Sequence, residues 1–148
     1  MDNVCVVWPS YGPDSACLEQ SVLSVLRLGI PADKCYVMER DEDPVSPEVS
    51  FPLLDKGVNF IPTEFHRQLR KVDIKYLLQG ILESMDDAGV DYAIQLDSDT
   101  ILCSLEFLER SKDSEMLAAG WTWPGQGLAG CGYLIQRYAV ETLSLIHI

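Results

Sequence analysis

Two aspartates one residue apart, Asp97 and Asp99, close the mostly apolar run Asp91-Tyr92-Ala93-Ile94-Gln95-Leu96. Carboxylates are hard oxygen donors, suited to Mg²⁺ or Mn²⁺, which take one or two of them and complete their shell with water and phosphate oxygens. An apolar stretch that turns acidic only at its C-terminal edge reads as a strand of a parallel sheet whose edge opens on a ligand crevice. The spacing therefore predicts a divalent-metal site at a strand end, with Asp97 and Asp99 as its ligands. The plainer alternative is an acidic turn, since Asp and Ser are common turn formers.

Charge sharpens the reading. The chain of 148 residues carries a formal net charge of −12. A polyanion such as nucleic acid would be repelled, and few Lys or Arg are present to displace its counterions. An anionic small substrate would need a local cation, which a bound metal supplies without a basic surface. With 47% hydrophobic and 23% charged residues, the chain is expected to form one globular domain with a real core. Its five cysteines (Cys5, Cys17, Cys35, Cys103 and Cys131) include no C-x-x-C pair and no His at ligand spacing, which argues against zinc and against a disulfide framework. Cys5 and Cys35 lie in apolar runs, where a free thiol acts as a small buried hydrophobe; that favours a reducing, cytoplasmic setting. Met1-Asp2-Asn3 lacks the basic region of a signal peptide, and no stretch is long and apolar enough to span a membrane.

The elements that must position the aspartates follow from periodicity. Val4–Trp8 reads as a strand closed by Pro9-Ser10-Tyr11-Gly12-Pro13, and Leu18, Val22, Val25 and Leu26 mark a helix from Ser15 that stops at Gly29 and Pro31. Cys35–Met38 is a second strand running into the acidic patch Glu39-Arg40-Asp41-Glu42-Asp43, after which Pro44 and Pro47 predict a loop. Val58–Ile61 is a short third strand. Ile74, Leu77, Leu78, Ile81, Leu82 and Met85 predict the longest helix, ended by Gly89 and leading directly into the Asp-x-Asp strand. A helix from Ser104 to about Glu115, with Ser104 as N-cap, precedes a strand at Met116–Trp121. A Gly-rich stretch from Trp123 to Gly132, a strand at Tyr133–Ile135 and a helix from Tyr138 complete the pattern. Strands alternating with amphipathic helices predict an α/β fold: a mostly parallel central sheet with helices on both faces. Ser144-Leu145-Ile146-His147-Ile148 arrives mid-helix without a stop signal and resembles translated adapter read-through, so the natural protein is expected to continue and the single domain of residues 1–148 to be incomplete at its C-terminus.

In this order and spacing, four segments resemble the nucleotide-sugar glycosyltransferases of the GT-A fold, whose domain is Rossmann-like. They are Val4 to Gly29, the acidic position at Glu39 or Asp41, Lys75-Tyr76-Leu77-Leu78-Gln79-Gly80-Ile81-Leu82 before the metal strand, and Leu96-Asp97-Ser98-Asp99-Thr100. Gly130-Cys131-Gly132-Tyr133-Leu134-Ile135-Gln136-Arg137 resembles a Gly-x-Gly segment with a later Arg in inverting, processive-type relatives. The resemblance implies a hexosyltransferase-type enzyme that uses Mn²⁺ or Mg²⁺ to move a sugar from a UDP- or GDP-linked donor to an unknown acceptor. It implies nucleotide contacts at Pro9, Ser10, Tyr11, Glu39, Asp41, Lys75, Asp97 and Ser98.

The chemistry stands beside that resemblance. A nucleoside diphosphate leaves readily only when the charge developing on its phosphates is neutralised, which a divalent ion does as a Lewis acid. Asp99, further out from the strand, is expected to be the direct ligand, and Asp97 to meet ribose or a metal-bound water. The small residues at Gly130 and Gly132 would let backbone approach a sugar closely, or simply form a tight turn. Lys71, Lys75, His66, Trp121 and Trp123 each have a bland alternative as surface or core residues. No carboxylate stands out as the base for an acceptor hydroxyl. The rival readings are a haloacid-dehalogenase-type phosphatase, with Asp97 as nucleophile, a sugar-nucleotide pyrophosphorylase, whose Gly-rich, Arg-containing loop after the first strand Pro9-Ser10-Tyr11-Gly12-Pro13 does not supply, and a non-catalytic nucleotide-sugar-binding fragment. The first wants its Asp-x-Asp at the start of the chain and a later Lys with an acidic pair, whereas here only Lys112 follows.

Overall fold

Val4–Pro9 forms the first strand (β1), and its side chains alternate between two separate cores: Val4, Val6 and Trp8 on one face, Cys5 and Val7 on the other. A strand buried on both faces belongs at the centre of a sheet covered by helices on each side. The computed structural model, which describes residues 3–64, 71–111, 118–122 and 128–146, has this arrangement. Ser15–Arg27 (α1) leads to Cys35–Glu39 (β2), Pro47–Asp55 (α2) to Asn59–Pro62 (β3), and Lys71–Ala88 (α3) to Tyr92–Leu96 (β4). Glu106–Ser111 (α4), Ala118–Thr122 (β5), Leu128–Gln136 (β6) and Arg137–Ile146 (α5) follow. The six strands lie in the order β3-β2-β1-β4-β6-β5. All pairs among β3, β2, β1 and β4 are parallel, and β6 runs against both of its neighbours.

The strand order carries the functional consequence. From β1 the chain steps outward to β2 and β3, and α3 then brings it back past β1 to β4. A right-handed crossover in the reversed direction must pass over the opposite face. Accordingly, Leu18, Val22 and Val25 of α1 and Leu53 of α2 pack in one core, while Leu78, Ile81 and Met85 of α3 join Ala139 and Val140 of α5 in the other. The order reverses between β1 and β4. In an open α/β sheet the crevice outside the C-terminal strand ends opens at that point.

Three expectations need correcting. The loop expected from Pro44 and Pro47 covers only 44–46, because α2 starts at Pro47, where a missing N–H leaves no helical bond unmade. Pro52 within that helix and the exposed Phe51 and Leu54 blur its apolar period, while Gly57, at φ 92, ends it in the left-handed conformation that favours glycine. The final strand begins at Leu128, so Gly130, Cys131 and Gly132 are strand residues rather than a loop. α4 begins at Glu106, although Ser104 does cap it, its Oγ accepting the Glu106 N–H at 3.1 Å. Gly89, at φ 64, terminates α3 as expected. The expectations for His66 and Trp123, and for the side chains of Lys71 and Trp121, lie outside the described residues.

Burial sorts the thiols. Cys5 and Cys35 are buried and Cys17 and Cys103 exposed, with all four free. Burial pushes the Cys5 and Cys35 thiols up to about 12 from the ordinary 9.0. Because the folded value lies above the unfolded one, their contribution to stability is present below pH 9 and drains away as the pH rises towards 12. At pH 8, alkylation followed by peptide mapping is expected to label Cys17 and Cys103 and to spare Cys5 and Cys35 until the chain is unfolded. Labelling of Cys5 in the folded protein would contradict the central placement of β1.

Candidate functional site

β1 and β4 are in register at Val7 and Gln95, which brings Pro9 and Asp97 side by side at the C-terminal edge. The two strand ends are tied together. The buried Ser98 donates from Oγ to Oγ of the buried Ser10 at 3.0 Å and lies 3.4 Å from the Pro9 carbonyl. The Ser10 N–H donates to the Met38 carbonyl at 2.9 Å, which fastens the same point to β2. Pro9, Ser10, Asp97 and Ser98 thus meet at the crevice, with the half-buried Tyr11 next along the chain.

Beyond Leu96 the backbone turns tightly, the Thr100 N–H donating to the Asp97 carbonyl at 3.0 Å. Asp99 stands at the exposed tip of this turn, and Asp97 is half-buried beneath it. Both aspartates therefore sit past the strand end, where the sequence places them. Asp97 Oδ1 accepts a hydrogen bond of 3.4 Å from Gln95 Nε2. Gln95 is 2% exposed, and its Oε1 has no hydrogen-bond partner among the described residues. Tyr133 is paired with Gln95 across β4 and β6, and burial, then the Asp97 carboxylate, hold its phenol above the ordinary range. Neither residue has a site role legible in its local sequence, although a lone amide inside an otherwise apolar strand is a signal for Gln95.

Among the described residues no group of three or more His, Cys, Asp or Glu side chains is arranged around a point. Asp97 and Asp99 therefore do not belong to an all-protein cage for a cation. The unsatisfied Gln95 Oε1 beside Asp97 leaves an acceptor for one further donor.

The acidic patch divides. Glu39 Oε2 accepts the Val45 N–H at 2.9 Å and so shapes its own loop, while Arg40 pairs with Glu42. Asp41 lines a cavity of about 680 Å³ between α3 and the ends of β2 and β3, together with Arg40, Thr63, Tyr76, Gln79 and Glu83. Lys75 is exposed and does not line this cavity, to which α3 contributes Tyr76, Gln79, Gly80 and Glu83. A Cβ on Gly132 would lie 2.7 Å from Leu96 Cδ2 and 2.9 Å from the Gln95 carbonyl oxygen. β4 itself takes the space that the sequence left for a sugar.

No protein-family model matches the chain, and no curated protein matches it. Solved structures do match over nearly its whole length. A mannosyltransferase, PcManGT from Pyrobaculum calidifontis, solved in complex with GDP-Man and Mn²⁺, superposes with a TM-score of 0.64 at 14% identity, covering 95% of this chain and 46% of that one. The glycosyltransferase GlyE from Streptococcus pneumoniae TIGR4 gives 0.59 at 18% identity, over 97% of this chain and 37% of that one. A cytidylyltransferase from Leptospira borgpetersenii gives 0.63 at 13% identity, over 97% and 64%. The chain therefore spans between about a third and two thirds of the length of these structures. At such identities the likeness establishes the fold, an α/β architecture of the GT-A type.

Proposed function

We propose that the chain is the nucleotide-sugar-binding domain of a metal-dependent glycosyltransferase. The observation that carries the reading is the position of the Asp97–Thr100 turn: it stands at the sheet's order reversal, tied through Ser98 to Ser10 at the end of β1. A fold with this crevice supports a nucleotide ligand, and two carboxylates at its lip fit Mn²⁺ or Mg²⁺ shared with a diphosphate. PcManGT, with GDP-Man and Mn²⁺ bound on the same fold, is in keeping with that ligand class.

The roles divide by charge. Asp97 and Asp99 would hold the cation, which supplies Lewis-acid neutralisation of the leaving diphosphate. Ser10, Ser98 and Tyr11 would line the nucleotide beside it. The cavity bearing Asp41, Gln79 and Glu83 suits an uncharged base or ribose and disfavours phosphate, whose charge the carboxylates would repel. Gln95 keeps the Asp97 carboxylate oriented from below.

The test is nucleoside diphosphate release from a panel of UDP- and GDP-sugars. Release that requires Mn²⁺ or Mg²⁺ and is lost in EDTA is the expected result. Hydrolysis of p-nitrophenyl phosphate with a phosphorylated Asp97, and no release from sugar nucleotides, would replace this reading with the phosphatase.

A further inference from the structure

Ser21 lies in the middle of α1 with no exposed surface, among the buried Leu18, Val22, Ser24 and Val25 of the same helix. A hydroxyl buried so completely is retained only where its hydrogen bonds are made. Here they run to two distant parts of the chain. The indole Nε1–H of the buried Trp8 donates to Ser21 Oγ at 2.8 Å, and the Ser21 hydroxyl donates to the Thr100 carbonyl at 2.5 Å. Ser24 adds a second hold: its Oγ accepts the Leu102 N–H at 3.0 Å and donates to the Ser21 carbonyl at 2.6 Å.

Helix α1 thus grips the segment that leaves the Asp-x-Asp turn. Thr100 is held at both ends of its backbone, its N–H closing the turn on Asp97 and its carbonyl ending on Ser21. Ser98 is held by Ser10. Asp99, between these two fixed residues, presents its carboxylate from a backbone that is already in place. We infer that Ser21 is a positioning residue for Asp99: it touches no ligand, and through the Thr100 carbonyl it sets where the outer carboxylate stands before a cation and diphosphate arrive. The inference rests on the reading that Asp99 holds that cation. Its energetic basis is that a ligand ordered in advance does not have to be ordered at the cost of binding free energy.

The test is calorimetric titration of Mn²⁺–GDP and Mn²⁺–UDP into the 148-residue chain, well below its melting temperature. Ser21→Ala removes both bonds of the hydroxyl, and the loss of the one to the Thr100 carbonyl is expected to raise the dissociation constant by roughly threefold to tenfold. Val25→Ala serves as the control for stability, since it truncates a buried side chain one helical turn away without touching the turn. It is expected to lower the melting temperature and leave the dissociation constant unchanged. If Ser21→Ala does not fold, Ser21→Cys keeps a polarisable group at the position but is a poor donor, and is expected to give the same weakening. Wild-type binding with unchanged affinity in the Ser21 variant overturns the inference alone, as does equal weakening by Val25→Ala. No binding by the wild type overturns both the inference and the reading it rests on.

Discussion

Asp99→Ala is expected to weaken metal-dependent binding of a nucleoside diphosphate by more than about 100-fold, and Asp97→Ala by roughly tenfold. The asymmetry follows from where the two carboxylates stand. Asp99 is exposed at the tip of the turn, whereas Asp97 is half-buried with one oxygen facing Gln95. If the outer carboxylate is the direct ligand, its removal leaves the cation only one protein oxygen, in a chain whose net charge of −12 repels the phosphates the cation would have neutralised. Since Asp99 is exposed, its loss is expected to change folding stability by no more than about 0.5 kcal/mol. A fall in affinity without a fall in melting temperature therefore separates a ligand role from a structural one. Equal, small effects of the two substitutions would return the motif to an acidic turn.

Gly132→Ala is expected to destabilise the fold by about 2 kcal/mol, lowering the melting temperature by roughly 4–8 °C for a domain of this size. The added Cβ would meet the Gln95 carbonyl oxygen at 2.9 Å, a backbone atom that cannot swing aside, as well as Leu96 Cδ2 at 2.7 Å. Relief requires β4 and β6 to separate. Leu96 is the residue before Asp97, so the same movement displaces the metal turn, and nucleotide affinity is expected to fall along with stability. A glycine conserving space for a sugar would instead lose affinity at unchanged melting temperature. Thermal unfolding and calorimetry on the same variant distinguish the two.

Much of the sheet was legible because burial on two faces writes itself into the residues. Val4–Trp8, Cys35–Met38 and Tyr92–Leu96 are runs that only a central strand of a helix-covered sheet would need, and the strand ahead of Asp97 ends at Leu96 as expected. Strand direction leaves no such trace. Apolar alternation reads the same in a parallel and an antiparallel strand, so the reversed course of β6 could not be read from Tyr133-Leu134-Ile135. Its first residues were hidden by Gly130 and Gly132, which look like turn chemistry until their close approach to β4 is known. Helix α2 was hidden for the opposite reason, since Pro47 reads as a breaker in a loop but as a sound first residue in a helix.

The candidate site divides along the same line. Asp97 and Asp99 stand out in the sequence because an apolar run turns acidic only at its C-terminal edge. Ser21 and Gln95 do not, because their roles depend on partners that are remote in the chain or invisible to composition: Ser21 meets Thr100 across 79 positions, and Gln95 matters through an orphaned amide oxygen. Glu39 and Asp41 were indistinguishable as neighbouring acids, and only the Val45 N–H on Glu39 tells the loop-former from the residue facing the cavity.

On the proposed reading, a divalent cation on Asp97 and Asp99 lets this acidic chain bind a nucleoside diphosphate. Titration of GDP and UDP into the wild-type protein, in Mn²⁺ and in EDTA, tests it most directly. Saturable binding of at least one nucleotide in Mn²⁺, absent in EDTA, is the predicted result; binding of equal affinity in EDTA would contradict it.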